Sequence, residues 1–230
     1  MPKNNTAITV PKHIFITGTD TEVGKTYVTE RLLTYFNHQG LKTVGLKPIA
    51  SDAQLSNGKL LNSDALALQQ AASVNLSYDA INPYCFEPAI APHLAAAQAN
   101  VHLSIDQIQQ KVSEALNKIE YDLCLIEGAG GWHVPLNKHE LYSDFVIRYD
   151  YPVILVVGIK LGCINHALLT AQAIKQSGCE LIGWIANCSN HETLYINENI
   201  TTIKQNIASP LLATILYQGE INVPTSFQYC

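Results

Sequence analysis

The 230-residue sequence is short of charge. Only 14% of it is Asp, Glu, Lys or Arg, and 14 basic residues face 19 acidic ones, for a formal net charge of −5. A general nucleic-acid binder carries a basic surplus, so that class is disfavoured, although a local anion site can hide under such a total. The sequence has no run of the roughly 18 uncharged apolar residues that a membrane-spanning helix needs. Its polar start, Met1-Pro2-Lys3-Asn4-Asn5-Thr6, has no signal-peptide core. None of the cysteines (Cys85, Cys124, Cys163, Cys179, Cys188, Cys230) forms a C-x-x-C pair. Buried or incidental thiols are therefore expected rather than a zinc site or disulfide framework, in a reducing, cytoplasmic setting. Internal repeats, low-complexity tracts and linkers are also missing. What the chain has in quantity is apolar residue, 47% of the total, which excludes intrinsic disorder. Its length suits a single core.

Short apolar runs alternate with helical patterns. His13–Thr17, Thr43–Leu46, Leu123–Ile126, Val153–Val157 and Leu181–Ala186 read as strands without apolar/polar alternation. Such strands suit a parallel sheet covered on both faces. Between them, Val28, Leu32 and Phe36 share one helical face, as do Ile105, Ile108, Val112 and Leu116. Ser104 followed by Gln107 is a capping-box pattern. Ile164–Gln176 reads as a further helix, ended by Ser177-Gly178. The alternation predicts a three-layer α/β fold with a mostly parallel central sheet flanked by helices. Residues 1–12 read as a loose extension, 13–230 as one domain, and the tail beyond Gly219 resists assignment.

The first strand leads into Gly18-Thr19-Asp20-Thr21-Glu22-Val23-Gly24-Lys25-Thr26 and then a helix. Gly24-Lys25-Thr26 is the end of a Walker A phosphate loop. Gly24 permits close backbone approach, and the amides that follow converge on phosphate at a helix start. Lys25 adds positive charge at the outer phosphates, and the Thr26 hydroxyl can ligate Mg²⁺. The loop is a variant: the usual first glycine falls at Thr19, and Gly18 stands one residue early. Its place between strand and helix favours nucleotide binding over a chance turn.

Further candidates fall at strand ends, where a parallel sheet opens its ligand crevice. Lys47 closes the second strand and can meet anions beside the phosphate loop; the alternative is a solvated edge lysine. Asp64 opens a helix, either as a second oxygen ligand for Mg²⁺ or only as a favourable partner of the helix dipole. Glu127 precedes Gly128-Ala129-Gly130-Gly131-Trp132 and fits the Walker B position, where aspartate is commoner; the alternative is a turn-capping carboxylate. The segment from Lys160 through Gly162, Cys163, Ile164 and Asn165 to His166 enters a helix whose amides can receive a carboxylate. Covalent catalysis by Cys163 is disfavoured, since only His166 stands near it. Asn187 ends another strand, as a turn residue or an adenine-reading amide.

Together these motifs resemble the dethiobiotin synthetases. The resemblance rests on Thr17–Thr26, Leu46–Ser51, Asn62–Gln69, Asn82–Tyr84, Glu127–Trp132, Pro152–Gln172 and Gly183–Asn187, in order from His13 to about Leu212. Partition and septum-site ATPases, related in fold, carry a signature lysine early in the loop, where this chain has Asp20. The resemblance implies a P-loop fold and a homodimeric enzyme. Its reaction converts 7,8-diaminononanoate, CO₂ and ATP, with Mg²⁺, into dethiobiotin, ADP and phosphate through a carbamate and a carbamic–phosphoric anhydride. It implies that Lys25 and Lys47 neutralise the γ-phosphate and carbamate, and that Thr26, Asp64 and Glu127 hold Mg²⁺. Glu22, Val23, Gly24, Lys25, Thr26, Asp64, Glu127, Gly128, Ala129, Gly130 and Asn187 would contact ATP. Thr21 and Ser51 would lie near the diamine, whose carboxylate would reach Gly162, Cys163, Ile164 and Asn165 of the other subunit.

The chain departs from the family at Ile215-Leu216-Tyr217-Gln218, where a proline segment is usual, and at Cys188, where an acidic residue is common. Both fall on the nucleotide-base side. Two other readings remain open: another P-loop ATP-dependent amidoligase, which usually carries a glutamine-amidotransferase domain, and a regulatory ATPase switch, which predicts a basic amphipathic tail. Asn222–Cys230 holds no Lys or Arg.

Overall fold

The computed structural model describes residues 8–188, 193–217, 219, 221–222 and 227–228. Seven strands make the central sheet: β1 (His13–Gly18), β2 (Thr43–Leu46), β3 (Leu123–Glu127), β4 (Val153–Gly158), β5 (Leu181–Asn187), β6 (Leu211–Ile215) and β7 (Ile221–Asn222). Their order is β7-β6-β5-β4-β1-β3-β2. Every neighbouring pair is parallel except β6–β7 at one edge, which is antiparallel. Among the described residues, eight helices accompany it: α1 (Lys25–His38), α2 (Ser63–Ala71), α3 (Tyr78–Ile81), α4 (Pro92–Gln98), α5 (Ile105–Leu116), α6 (Tyr142–Arg148), α7 (Cys163–Gln176) and α8 (Ile196–Asn206).

The continuous apolar runs are explained by covering on both faces. Successive side chains of a strand point to opposite sides. Ile14 and Ile16 of β1, Leu123 and Leu125 of β3, and Ile154 and Val156 of β4 therefore pack in one core with Val28, Leu32, Leu33 and Phe36 of α1. Phe15, Cys124, Ile126, Val153, Leu155 and Val157 point the other way, into a core with Ile105, Ile108 and Val112 of α5 and Ala167 and Ile174 of α7. Each fully buried Leu, Ile or Phe stabilises by about 1.5–3 kcal/mol relative to exposure. Ser104 caps α5, its hydroxyl accepting from the Gln107 amide, and Gly178 ends α7 at φ +80°.

Val10, inside the segment expected to be a loose extension, is 3% exposed and packs with the α1-side core. Just before it, Ile8–Thr9 pairs in parallel with Phe227–Gln228. An antiparallel hairpin, Gln54–Ser56 with Lys59–Leu61, connects β2 to α2 by way of an Asn57-Gly58 turn with both φ positive. All the parallel strands therefore end on one rim, and the loops that follow β1, β2 and β3 meet there.

Candidate active site

The phosphate loop joins β1 to α1. Glu22 and Gly24 both take left-handed φ, +59° and +83°, so that peptide dipoles turn inward as an anion-binding nest. Gly18 explains the displaced glycine: a Cβ there would come within 2.6 Å of Val23 and 3.1 Å of the Lys25 stem. Behind the loop, Asn187 at the end of β5 donates from Nδ2 to the Val23 carbonyl at 2.9 Å. A Cβ on Gly24 would collide with that same amide. Lys25 folds its ammonium onto the Asp20 carbonyl at 3.0 Å. Burial, then the positive charge of Lys47, bring its pKa down to about 8.

Lys47 leaves β2 as the next residue after it and is 5% exposed. Its Nζ donates to Glu127 Oε1 at the end of β3, to Asp64 Oδ2 in the first turn of α2 at 2.9 Å, and to the Gly128 carbonyl at 3.5 Å. Burial opposes the charge on Lys47, but the two carboxylates overcome it and its pKa rises above the usual lysine value. Burial likewise works against ionised Asp64, and Lys47 outweighs it, holding that carboxyl below the usual range. Thr26 Oγ1 donates to Glu127 Oε1 at 2.8 Å. Glu127 itself is fully buried, and its Oε2 has no protein partner. Thr26, Asp64 and Glu127, far apart in sequence, are thus joined around one ammonium.

A cavity of about 770 Å³ opens over this cluster. Thr21, Glu22, Gly24, Lys25, Thr26, Lys47, Ser51, Asp64, Ala129 and Gly130 line it. Val23, Glu127, Gly128 and Asn187 are buried and are not among the lining residues. The Ser51 hydroxyl is buried without a protein partner. Gly162, Cys163, Ile164 and Asn165 do not line the cavity. Cys163 is 2% exposed in the core, and its N–H is committed to the Lys160 carbonyl at 3.0 Å. On the base side, Cys188 is buried and donates its N–H to Ile215 O. Leu216 and Tyr217 are exposed, while Gln218 lies outside the described residues.

Sequence reasoning missed the support of Lys47. Asn82 Nδ2 donates to the Lys47 carbonyl at 2.6 Å and Ile81 O accepts from its N–H at 3.0 Å. Tyr78 Oη donates to Asn82 Oδ1 and accepts from the Asn62 amide. The Asn-Pro step at Asn82 signals a turn, yet nothing local reveals that the turn grips residue 47. Ala89–Pro92 and His133–Pro135, which also line the cavity, carried no chemical motif.

A parallel sheet with helices on both faces, a phosphate loop entering α1, and a lysine–carboxylate cluster at the strand ends define a P-loop nucleotide-binding protein. Solved structures agree in fold: the cell division protein FtsY of Thermotoga maritima has TM-score 0.55 at 15% identity, over 97% of this chain and 68% of that one. The septum site-determining protein MinD of Pyrococcus horikoshii, complexed with Mg-ADP, has TM-score 0.52 at 18% identity, over 89% and 81%.

A family model described as an AAA domain matches residues 12–225. The ATP-dependent dethiobiotin synthetase of Pseudomonas paraeruginosa is 46% identical over 87% of this chain and 88% of its own length. That of Cellvibrio japonicus is 45% identical over 89% of each. The chain belongs to the dethiobiotin synthetase family.

Proposed function

We propose that the chain is a ligase of biotin biosynthesis that carboxylates 7,8-diaminononanoate with CO₂ and closes its cyclic urea, converting ATP to ADP and phosphate. The observation that carries this reading is Lys47, a buried ammonium held by Glu127 and Asp64 on the floor of the cavity beside the phosphate loop. A regulatory switch has no evident use for such a lysine, whereas a reaction that develops negative charge on carbamate and phosphoryl oxygens does.

One substrate amine adds to CO₂ and loses a proton, giving a carbamate. A carbamate oxygen attacks the γ-phosphorus, and ADP leaves. The second amine attacks the carbonyl carbon of the resulting carbamic–phosphoric anhydride; phosphate departs with the C–O electron pair, and the amine proton is lost. Catalysis here is mainly positioning and charge stabilisation. The loop amides and Lys25 hold the phosphates, Lys47 bridges carbamate and γ-phosphate, and Thr21 and Ser51 contact the diamine. Asn187, whose Nδ2 holds the Val23 carbonyl, is the residue assigned to the adenine side.

The Thr26 hydroxyl and the carboxylates of Asp64 and Glu127, with the unpartnered Glu127 Oε2, form an oxygen set suited to Mg²⁺. Mg²⁺ held there would supply positive charge to the phosphate oxygens. No cluster of three His, Cys, Asp or Glu side chains capable of holding a metal occurs among the described residues. The proposed assembly is a homodimer in the cytoplasm, with Gly162–Asn165 of a second copy receiving the carboxylate. No described helix is long and apolar enough to cross a membrane.

The test is phosphate release from ATP with bicarbonate, with and without the diamine. The synthetase reading expects release that depends on the diamine and yields dethiobiotin; release that ignores the diamine overturns it.

A further inference from the structure

His133 is a cavity side chain that none of these roles uses. The cavity lining holds two kinds of group. Lys25, Lys47 and the loop amides suit phosphate, whereas Ile90, Pro92, Val134 and Pro135 present an apolar surface suited to an alkyl chain. His133 belongs to this second stretch, next to Val134, and is exposed. Its orientation is set from α6, where Ser143 Oγ lies 3.1 Å from His133 Nδ1. Ser143 is 1% exposed, so its hydroxyl hydrogen needs an acceptor. Nδ1 is the partner of that hydroxyl among the described residues. With Ser143 donating, Nδ1 accepts and the ring proton resides on Nε2. The edge turned away from α6 is then an N–H donor at an apolar stretch of wall, where an anionic group at the end of an aliphatic chain would find it.

We propose that His133 binds the carboxylate tail of the diamine through Nε2–H and selects a carboxylate-bearing diamine over a neutral one. The inference rests on the synthetase reading. It adds a donor from the subunit that holds the phosphates to the main-chain amides offered by a second copy. Ser143 acts here as a positioning residue.

Steady-state kinetics of His133→Leu and His133→Gln in the full chain test it, with 7,8-diaminononanoate and with 2,3-diaminooctane, the same diamine without its carboxyl group. Loss of a hydrogen bond to a charged group raises KM for diaminononanoate by ~10-fold in H133L, with kcat changed by less than about 2-fold. KM for ATP stays at the wild-type value, which also shows that the variant folds. H133Q, which retains an N–H donor, recovers most of the loss, and 2,3-diaminooctane does not distinguish H133L from wild type. An unchanged KM for diaminononanoate in H133L, or an equal rise with 2,3-diaminooctane, overturns the proposal. If the wild-type chain shows no diamine-dependent turnover, the synthetase reading fails and this one with it; normal wild-type turnover with an unaltered H133L defeats this one alone.

Discussion

Lys47 shows how much one side chain can carry. Its ammonium neutralises a carboxylate that is fully buried and a second that is partly exposed, and breaking such a buried pair from one side costs about 3–5 kcal/mol. Lys47→Ala is therefore expected to abolish diamine-dependent turnover and also to lower stability by about that amount in urea denaturation. Adding Glu127→Gln removes the stranded charge, so the double variant regains much of the stability and none of the turnover. If K47A unfolds at the wild-type midpoint, the buried pair is not the energetic unit described here. Much of this residue-scale site was readable: Lys25, Lys47, Asp64 and Glu127 each sit at a strand end or helix start, which is where reactive groups are offered. Asn82, Tyr78 and His133 were not readable, because their partners lie 35, 16 and 10 residues away. His13 makes a separate prediction. Burial, then Lys12, lower its pKa, and its Nε2 meets Tyr121 Oη at 2.7 Å. A folded pKa below the unfolded value of about 6.5 means that the stabilisation is complete above that pH and is lost as pH falls through the folded value. His13→Gln should flatten the stability–pH curve below about pH 6.5; an unchanged slope in thermal melts at several pH values would contradict the assignment.

At the scale of elements, the phosphate loop is the most constrained piece of chain. Gly24 sits at φ +83°, and a Cβ on it would strike the Asn187 amide that anchors Val23. Gly24→Ala thus combines left-handed strain of about 1–2 kcal/mol with displacement of the strand β5 anchor. ATP affinity measured by calorimetry should fall at least ~10-fold, and the strain should also lower the melting temperature without nucleotide by about 2–8 °C. Asn187→Ala in the same chain removes the clash but not the strain, so it restores affinity only in part. Retention of full affinity by G24A would show that the loop opens freely. The strands and helices that form this rim were readable because their signals are local: apolar runs mark β1, β2, β3, β4 and β5, and Ser104 and Gly178 mark helix ends. The hairpin at Gln54–Leu61 and the edge strand β7 carry no such run. Both are short strands held by backbone pairing, Gln54–Ser56 with Lys59–Leu61 and β7 with β6. Strand order is likewise set by how crossover helices return to the sheet, and composition does not encode it.

For the whole molecule, the cavity of one chain is lined by Lys25, Thr26, Lys47 and Asp64 but leaves Gly162–Asn165 outside. The start of α7 nevertheless has a character of its own. Leu161 is fully exposed, Asn165 is exposed, and Leu169 is 58% exposed. Residues spaced by four stack on one side of a helix, so Leu169 lies one turn beyond Asn165 on a solvent-facing stripe, while Leu161 stands exposed just before the N-cap, Gly162. Leucines exposed beside an amide-rich helix start suit contact with a second copy, the arrangement proposed for the carboxylate. Leu169→Glu places a charge in that contact without touching the phosphate loop or the core. On the proposed homodimer, it should shift the protein from dimer to monomer in sedimentation at micromolar concentration. If a second copy completes the diamine site, that monomer still binds ATP with wild-type affinity, yet its KM for diaminononanoate rises and falls again as protein concentration drives reassociation. A monomeric L169E with wild-type diamine kinetics would show that each chain carries a complete site. That outcome would remove Gly162–Asn165 from the reaction and leave His133 as the carboxylate donor supplied by the cavity of a single subunit.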